Sequence, residues 1–177
     1  MHSLYARINN ITATLSTCMM ILLAGIACSS SLFTADSKGT LNISSVQVFP
    51  GQTRRIPGRT QDFAFVNFNL TADLTPLFNW NTKQLFLYVG AEYTNAKGVK
   101  NEVVIWDRNV RRKEDAYIQV QGKNKYPFRD PSEKFQNPEP AEYTLKYNLM
   151  PYVGLLTYGE AARTAPIPFP EAKERLS

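Results

Sequence analysis

FNWNTKQLFLYVGAEY, residues 78–93, carries apolar side chains on both rows of one extended segment. Leu85, Leu87, Val89 and Ala91 form one row, while Phe86 and Tyr88 put two large aromatics on the other. A strand with one wet face alternates apolar and polar residues, so this strand is expected to be covered on both sides. VVIW (103–106) repeats the pattern, with Val103 and Ile105 in one row and Val104 and Trp106 in the other. If the two strands pair, Phe86, Tyr88, Val104 and Trp106 gather on the second face of one sheet. Two covers fit that face: the chain's own loops, including a turn at 74–80, or another subunit. Contiguous apolar surface marks binding sites, and aromatics concentrate where interfaces carry energy.

The rest of the chain from residue 40 onward is also written for strands. VNFNLTADL (66–74) points Val66, Phe68, Leu70, Ala72 and Leu74 one way and Asn67, Asn69, Thr71 and Asp73 the other. YTLKYNL (143–149) sets Tyr143, Leu145, Tyr147 and Leu149 against Thr144, Lys146 and Asn148. LNISSVQVF (41–49) changes face at Ser44-Ser45, which predicts a β-bulge there. Further strands are expected at 84–93, 101–107, 116–121 and 153–158. Breakers separate them at PGQTRRIPG (50–58), NAKG (95–98), GKNKYP (122–127) and RDPSEKFQNPEP (129–140). One helical turn is expected within DLTPLFNWN (73–81), with Pro76 near its first position and Asp73 to Thr75 capping it. The Pro-rich tail from residue 164 is expected to end loosely. Short strands bounded by turns, with no long helical periodicity after residue 36, predict an all-β, antiparallel β-sandwich. Both tryptophans, Trp80 and Trp106, are expected to support its core or its interface.

Composition narrows the class. Charged residues make up 20% and apolar residues 44%, the balance of a globular domain. The net charge of +5 does not form a patch. Its densest run, DRNVRRKED (107–115), interleaves acids with bases and is expected to be a solvated turn, not a nucleic-acid surface. The two cysteines, Cys18 and Cys28, both lie in the N-terminal apolar segment, so no disulfide holds the folded domain. Residues 36–177 number 142, enough to bury a core of their own.

Between Arg7 and Asp36 lie 28 residues without a charge. A bilayer core needs about 20 helical residues, so the segment is long enough to span one. Thr12, Thr14, Ser16, Thr17 and Ser29–Ser31 dilute it, and its most apolar part, CMMILLAGIAC (18–28), has the length of a signal-peptide apolar region. Two readings follow from the residues alone. One is a cleaved signal peptide, cut near Ala27, that releases a secreted β-sandwich, such as a ligand- or carbohydrate-binding module. The other is an uncleaved signal anchor over 12–33, with a cytosolic N-terminus at 1–11 and the domain at 36–177 across the membrane. Asn42-Ile-Ser and Asn69-Leu-Thr fit the N-glycosylation pattern, which makes Asn42 and Asn69 candidate acceptors.

Much chemistry is excluded. The only histidine is His2, ahead of the apolar segment. The folded domain therefore cannot build a Ser-His-Asp or Cys-His site from this chain. Lacking both Cys and His, it is a poor zinc host as well. There is no glycine-rich phosphate loop. Ser37, Ser44, Ser45, Ser132 and Ser177 leave a Ser-Lys dyad open on composition, but none sits in a motif. No catalytic residue, cofactor or metal is expected, which points to a domain that works by holding a partner.

DLTPLFNWNTKQLFLYVGAEY (73–93), followed by NEVVIWDRNV (101–110), closely resembles the small glycoprotein subunit of the eukaryotic signal peptidase complex. The shared pattern joins an Asp-Leu pair, a Phe-x-Trp-Asn turn, Lys-Gln-Leu-Phe, an Ala-x-Tyr strand end and an Ile-Trp-Asp strand. It extends to the N-terminal MHSLYARINNITATLS and to PIPFP at 166–170, and departs from the family in the loops at 50–60 and 122–141. The resemblance implies a single-pass protein of the endoplasmic reticulum membrane with an uncleaved anchor and a luminal domain. It implies a non-catalytic subunit that binds the catalytic serine protease subunit, beside the other small membrane subunits, and meets nascent secretory chains only indirectly. Phe86, Tyr88, Val104, Trp106 and Trp80 are the candidates for that contact or for the core beneath it.

Overall fold

The computed structural model describes residues 3–30, 32, 33, 35–52, 60–130, 132, 134, 135 and 138–172. Helix α1 (Leu4–Ser30) leads into seven strands: β1 (Lys38–Gln52), β2 (Thr60–Asp73), β3 (Thr82–Thr94), β4 (Lys100–Val110), β5 (Tyr117–Lys123), β6 (Glu142–Pro151) and β7 (Thr157–Arg163). All pairings are antiparallel. One sheet has the order β1-β2-β5 and the other β4-β3-β6-β7. The expected β-sandwich is therefore present, with β2 and β3 central in their sheets.

The core forms because the apolar rows of those two strands face each other. Val66, Phe68, Leu70 and Ala72 on β2, and Leu85, Leu87, Val89 and Ala91 on β3, are all buried. Ile118 on β5 and Tyr143 and Leu145 on β6 complete the same cluster. A fully buried Leu, Ile or Phe contributes roughly 1.5–3 kcal/mol relative to exposure, so two such rows set the fold without covalent help. The far end is closed by rings: Tyr93, Phe128, Phe135 and Phe169 pack with centroids 4.9–6.1 Å apart. The Tyr93 hydroxyl donates to the buried Asp130 carboxylate at 2.7 Å. Burial pushes the Tyr93 hydroxyl well above the ordinary tyrosine range, and the hydrogen bond to Asp130 adds to that. The tail segment is tied down here, with Ile167 bridging Ala141 and Phe169 stacked on Phe135. Residues 173–177, its expected loose end, lie outside the described residues.

Three local expectations need comment. The register of β1 on β2 shifts between Ile43 and Ser45, as the Ser-Ser pair predicted. The expected helical turn is a single 3₁₀ turn at Thr75–Leu77 with Pro76 in its first positions, and Asp73 Oδ1 accepts from the Thr75 amide at 3.0 Å. The strand expected at 153–158 is displaced to Thr157–Arg163. Residues 153–156 make the β6–β7 turn instead, because Gly154 adopts a φ of 122°, which breaks an extended run.

Helix α1 has no buried residue, and it is long and apolar enough to cross a membrane. The hydroxyls that dilute its sequence are satisfied within the helix. Thr14, Ser16 and Thr17 donate to the carbonyls of Asn10, Thr12 and Ala13 at 2.8–2.9 Å, and Thr12 donates to Ile8. A hydroxyl bonded to its own backbone does not need water, which removes the main objection to placing this helix in lipid.

Phe68→Ala removes a completely buried ring and is expected to lower the unfolding free energy of the full chain by about 3–5 kcal/mol. Trp80 is 60% exposed, so Trp80→Ala is expected to stay within about 0.5 kcal/mol of wild type. Urea titration in mild detergent, followed by near-UV circular dichroism, measures both.

Candidate partner-binding face

Strand β3 lies between β4 and β6, so its second row forms the middle of an outward-facing surface. Phe86 and Tyr88 are half-buried there and stack on each other, with centroids 5.9 Å apart and planes at 30°. Val104 joins them from β4 and is exposed. Asn148 lies opposite Phe86 on β6, and Tyr158 lies opposite Asn148 on β7. Asn148 Oδ1 is buried with no donor among the described residues.

Charges rim this apolar centre. Lys146, opposite Tyr88, donates to Glu92 at 2.5 Å and to Glu102 at 2.8 Å. Burial pulls the Lys146 ammonium down, but the hydrogen bonds to Glu102 and Glu92 outweigh it and hold the group charged above the ordinary lysine range. Burial, reinforced by the Glu102 charge, pushes the Tyr88 hydroxyl up. On the β4 side, Asp107 lies opposite Tyr88 and accepts from Lys125 at 2.6 Å and from the Tyr126 hydroxyl at 2.8 Å. The Lys125 hydrogen bond holds the Asp107 carboxyl below the usual carboxylate range. On the β7 side, Arg163 bridges Glu160 and Glu142 at 2.7 and 2.8 Å.

Trp106 does not join Phe86 and Tyr88. The β3–β4 register shifts between Val89 and Gly90, which pair with Trp106 and Val104 and leave Ile105 between them. A bulge puts consecutive side chains on one side of the sheet. Ile105 is therefore buried, and Trp106 turns inward to pack edge-on against Phe68, with centroids 6.0 Å apart. The simple alternation read from VVIW missed this because a bulge leaves no mark in so short a run. Trp80, by contrast, is not core. It follows the 3₁₀ turn at the end nearest α1 and points to the surface. Asn42 and Asn69 face each other across β1 and β2, both exposed.

The residue that sequence reasoning missed altogether is Asn81. It is buried, and its Nδ2 donates to the Ser30 hydroxyl at the end of α1 and to the Val153 carbonyl. Its Oδ1 accepts from the Val153 amide at 3.1 Å, and its own carbonyl accepts from the Tyr152 amide at 2.8 Å. One side chain thus joins the helix end to the β6–β7 turn. Its only sequence signal was a place in an Asn-rich turn.

The arrangement has the parts of a contact surface: an apolar centre, an unpaired acceptor and a rim of paired charges. Among the described residues no group of His, Cys, Asp and Glu could hold a metal ion. Compared with known proteins, residues 1–172 match the model for a family described as signal peptidase subunit. The chain belongs to that family. Its relatives include proteins named signal peptidase complex subunit 3. The one from Saccharomyces cerevisiae is 39% identical over 125 residues, 70% of this chain and 65% of the yeast protein. The alignment thus spans just under two thirds of that relative. The Caenorhabditis briggsae relative is 32% identical over 171 residues, 96% of this chain and 95% of its own. That of Debaryomyces hansenii is 36% identical over 166 residues, 85% of each chain. The resemblance carried by residues 73–110 is thereby shown at the level of the family.

The Asp107 carboxyl has a lowered pKa in the folded state, so its contribution to stability is present above the ordinary value of about 3.9. It is lost as pH falls through the lower, folded value. Asp107→Asn is therefore expected to reduce stability at neutral pH, and the gap from wild type to close as pH drops below about 4. Thermal unfolding of both chains from pH 7 to pH 2 measures the gap. A constant gap across that range contradicts the account.

Proposed function

We propose that this chain is a non-catalytic accessory subunit of the signal peptidase complex of the endoplasmic reticulum, which removes signal peptides from nascent secretory proteins. The observation that carries this reading is the family match across residues 1–172, together with relatives named as subunit 3 of that complex. In this reading residues 12–33, most of them in α1, are an uncleaved anchor, residues 1–11 are cytosolic, and the domain at 36–177 is luminal. The continuity of α1 through Ala27 to Ser30 supports an uncleaved anchor. A peptidase must take its substrate extended, whereas these residues are helical, and Ala27, Ser29 and Ser30 are half-buried. Asn42 and Asn69, exposed on the other sheet, are then available on the luminal side as glycan acceptors.

The catalytic serine protease subunit is the proposed partner, bound through the outer face of the β4-β3-β6-β7 sheet. Phe86, Tyr88 and Val104 supply its apolar centre, and Trp106 supports that strand pair from beneath. The buried Asn148 Oδ1 favours this face, since an unpaired acceptor costs about 1–3 kcal/mol until a donor reaches it. Holding the protease there fixes the height of its active site above the bilayer, so that it meets the end of a short apolar helix. In this reading the chain cuts nothing itself, and the lack of any histidine after His2 agrees with that, since it rules out a Ser-His or Cys-His site in the domain.

Tyr88 is half-buried on the outer face and contributes little to the core. Tyr88→Asp is expected to leave the domain folded, with an unchanged near-UV spectrum, but to abolish co-purification of the protease in mild detergent. Retention of the protease by this variant places the contact elsewhere. Loss of fold makes Tyr88 a core residue. Wild-type protein that brings down no protease overturns the reading as a whole.

A further inference from the structure

Three uncharged stretches meet at the domain end of α1. They are residues 8–35, residues 74–82 and residues 147–159. The nearest charges in sequence are Asp36, Asp73, Lys83, Lys146 and Glu160. Their meeting is held by Asn81, which bonds the helix end and the β6–β7 turn together. Gly154 at the turn lies beside the helix: a Cβ added there would be in ordinary contact with the Ala27 Cα, at 3.5 Å. Phe33, Leu155 and Tyr158 line the cleft of about 650 Å³ that opens beside Ala27 and Cys28.

The side chains at this end are large, apolar and open to solvent. Leu155 is 87% exposed, Tyr158 71% and Tyr152 68%. Trp80, Leu156 and Phe33 are exposed as well. Isolated surface apolars need no explanation, but a group of six at one point does. Their position relative to the helix supplies one. Counting about 20 helical residues from Ile8, the first residue after Arg7, or from Thr12, where the proposed anchor begins, the hydrocarbon core ends between residues 27 and 31. Ala27, at the near end of that interval, is the residue that a Cβ on Gly154 would meet. The turn and Trp80 therefore stand where hydrocarbon gives way to headgroups, the level at which Trp and Tyr rings are most favourable.

We infer that Trp80 and the β6–β7 turn form a collar that dips into the membrane around α1, seating the domain on the leaflet it faces. The occupant is phospholipid, taken by its headgroup–acyl boundary. The collar carries no cation of its own, so it does not select acidic headgroups. The inference rests on α1 crossing a bilayer, as in the function proposed above, but not on which complex the chain joins.

The test uses the full chain reconstituted in phosphatidylcholine nanodiscs. Comparing wild type with Trp80→Phe isolates the emission of Trp80, because Trp106 is kept in both. Trp80 emission is expected to be quenched by brominated lipids, more by shallow than by deep bromines, and to be insensitive to aqueous iodide. Replacing part of the lipid with phosphatidylserine should change nothing. The Leu155→Glu, Leu156→Glu double variant, altered only at exposed positions, should lose the lipid quenching while the domain stays folded. A second reporter, Leu155→Trp in the Trp80→Phe chain, should be quenched in the same order. Labelling of Cys18 by a membrane-impermeant maleimide, in a Cys28→Ser chain, separates the two possible failures. If Cys18 is protected but Trp80 responds to iodide and not to bromines, the collar is overturned and the spanning helix stands. If Cys18 reacts, the helix does not span and the collar falls with it. If Trp80 is shielded from iodide only when a co-purified protein is present, the surface is a protein interface and the inference is wrong.

Discussion

Everything in the domain depends on the facing of two apolar rows, Val66-Phe68-Leu70-Ala72 on β2 and Leu85-Leu87-Val89-Ala91 on β3. There is no disulfide to share the task, since Cys18 and Cys28 both lie on α1. Each row sits on the central strand of its sheet, so burying the two against each other also fixes the neighbours of each. The register of every flanking strand then decides which side chains are left facing out. On the β3 side that remainder is Phe86 and Tyr88, and they become available only because their neighbours on the same strand are fully committed to the core.

The main lines of this were legible. Clean alternation in 66–74 gave both the strand and its buried face, because a period of two with large apolar residues has few competing solutions. The bulge at Ser44 was legible because the apolar phase visibly changes there. What escaped was decided by backbone detail. The bulge at Ile105 turns Trp106 inward, and VVIW is apolar at every position, so no phase change marks it. The strand placed at 153–158 failed because Gly154 can turn left-handed and a Gly in an apolar run does not announce which use it serves. By sequence Trp80 fits interface or core, and an exposure of 60% removes the core reading, which no local sequence signal could have done.

Of the candidate site, the strand pair was legible and its chemistry was not. The rim around Phe86 and Tyr88 draws on Glu92, Glu102, Lys146 and Asp107, residues from three strands. Only the pairing of β4 and β6 on either side of β3 brings them together. Asn81 is the sharper case. Its partners, Ser30 and Val153, are 51 and 72 positions away, and nothing in the local sequence distinguishes it from Asn79.

The Asn81 latch has a mechanical consequence. With the helix end and the β6–β7 turn both bonded to Asn81, a tilt of α1 would carry the sandwich with it. Strand β3 has 13 residues, which at about 3.3 Å each gives an arm of roughly 43 Å. Helices accommodate thinner bilayers by tilting, and a tilt of about 10° swings the far end of such an arm by roughly 7 Å. Local membrane thickness would thus be converted into lateral displacement of whatever the arm carries, and a looser joint at residue 81 would disconnect the two.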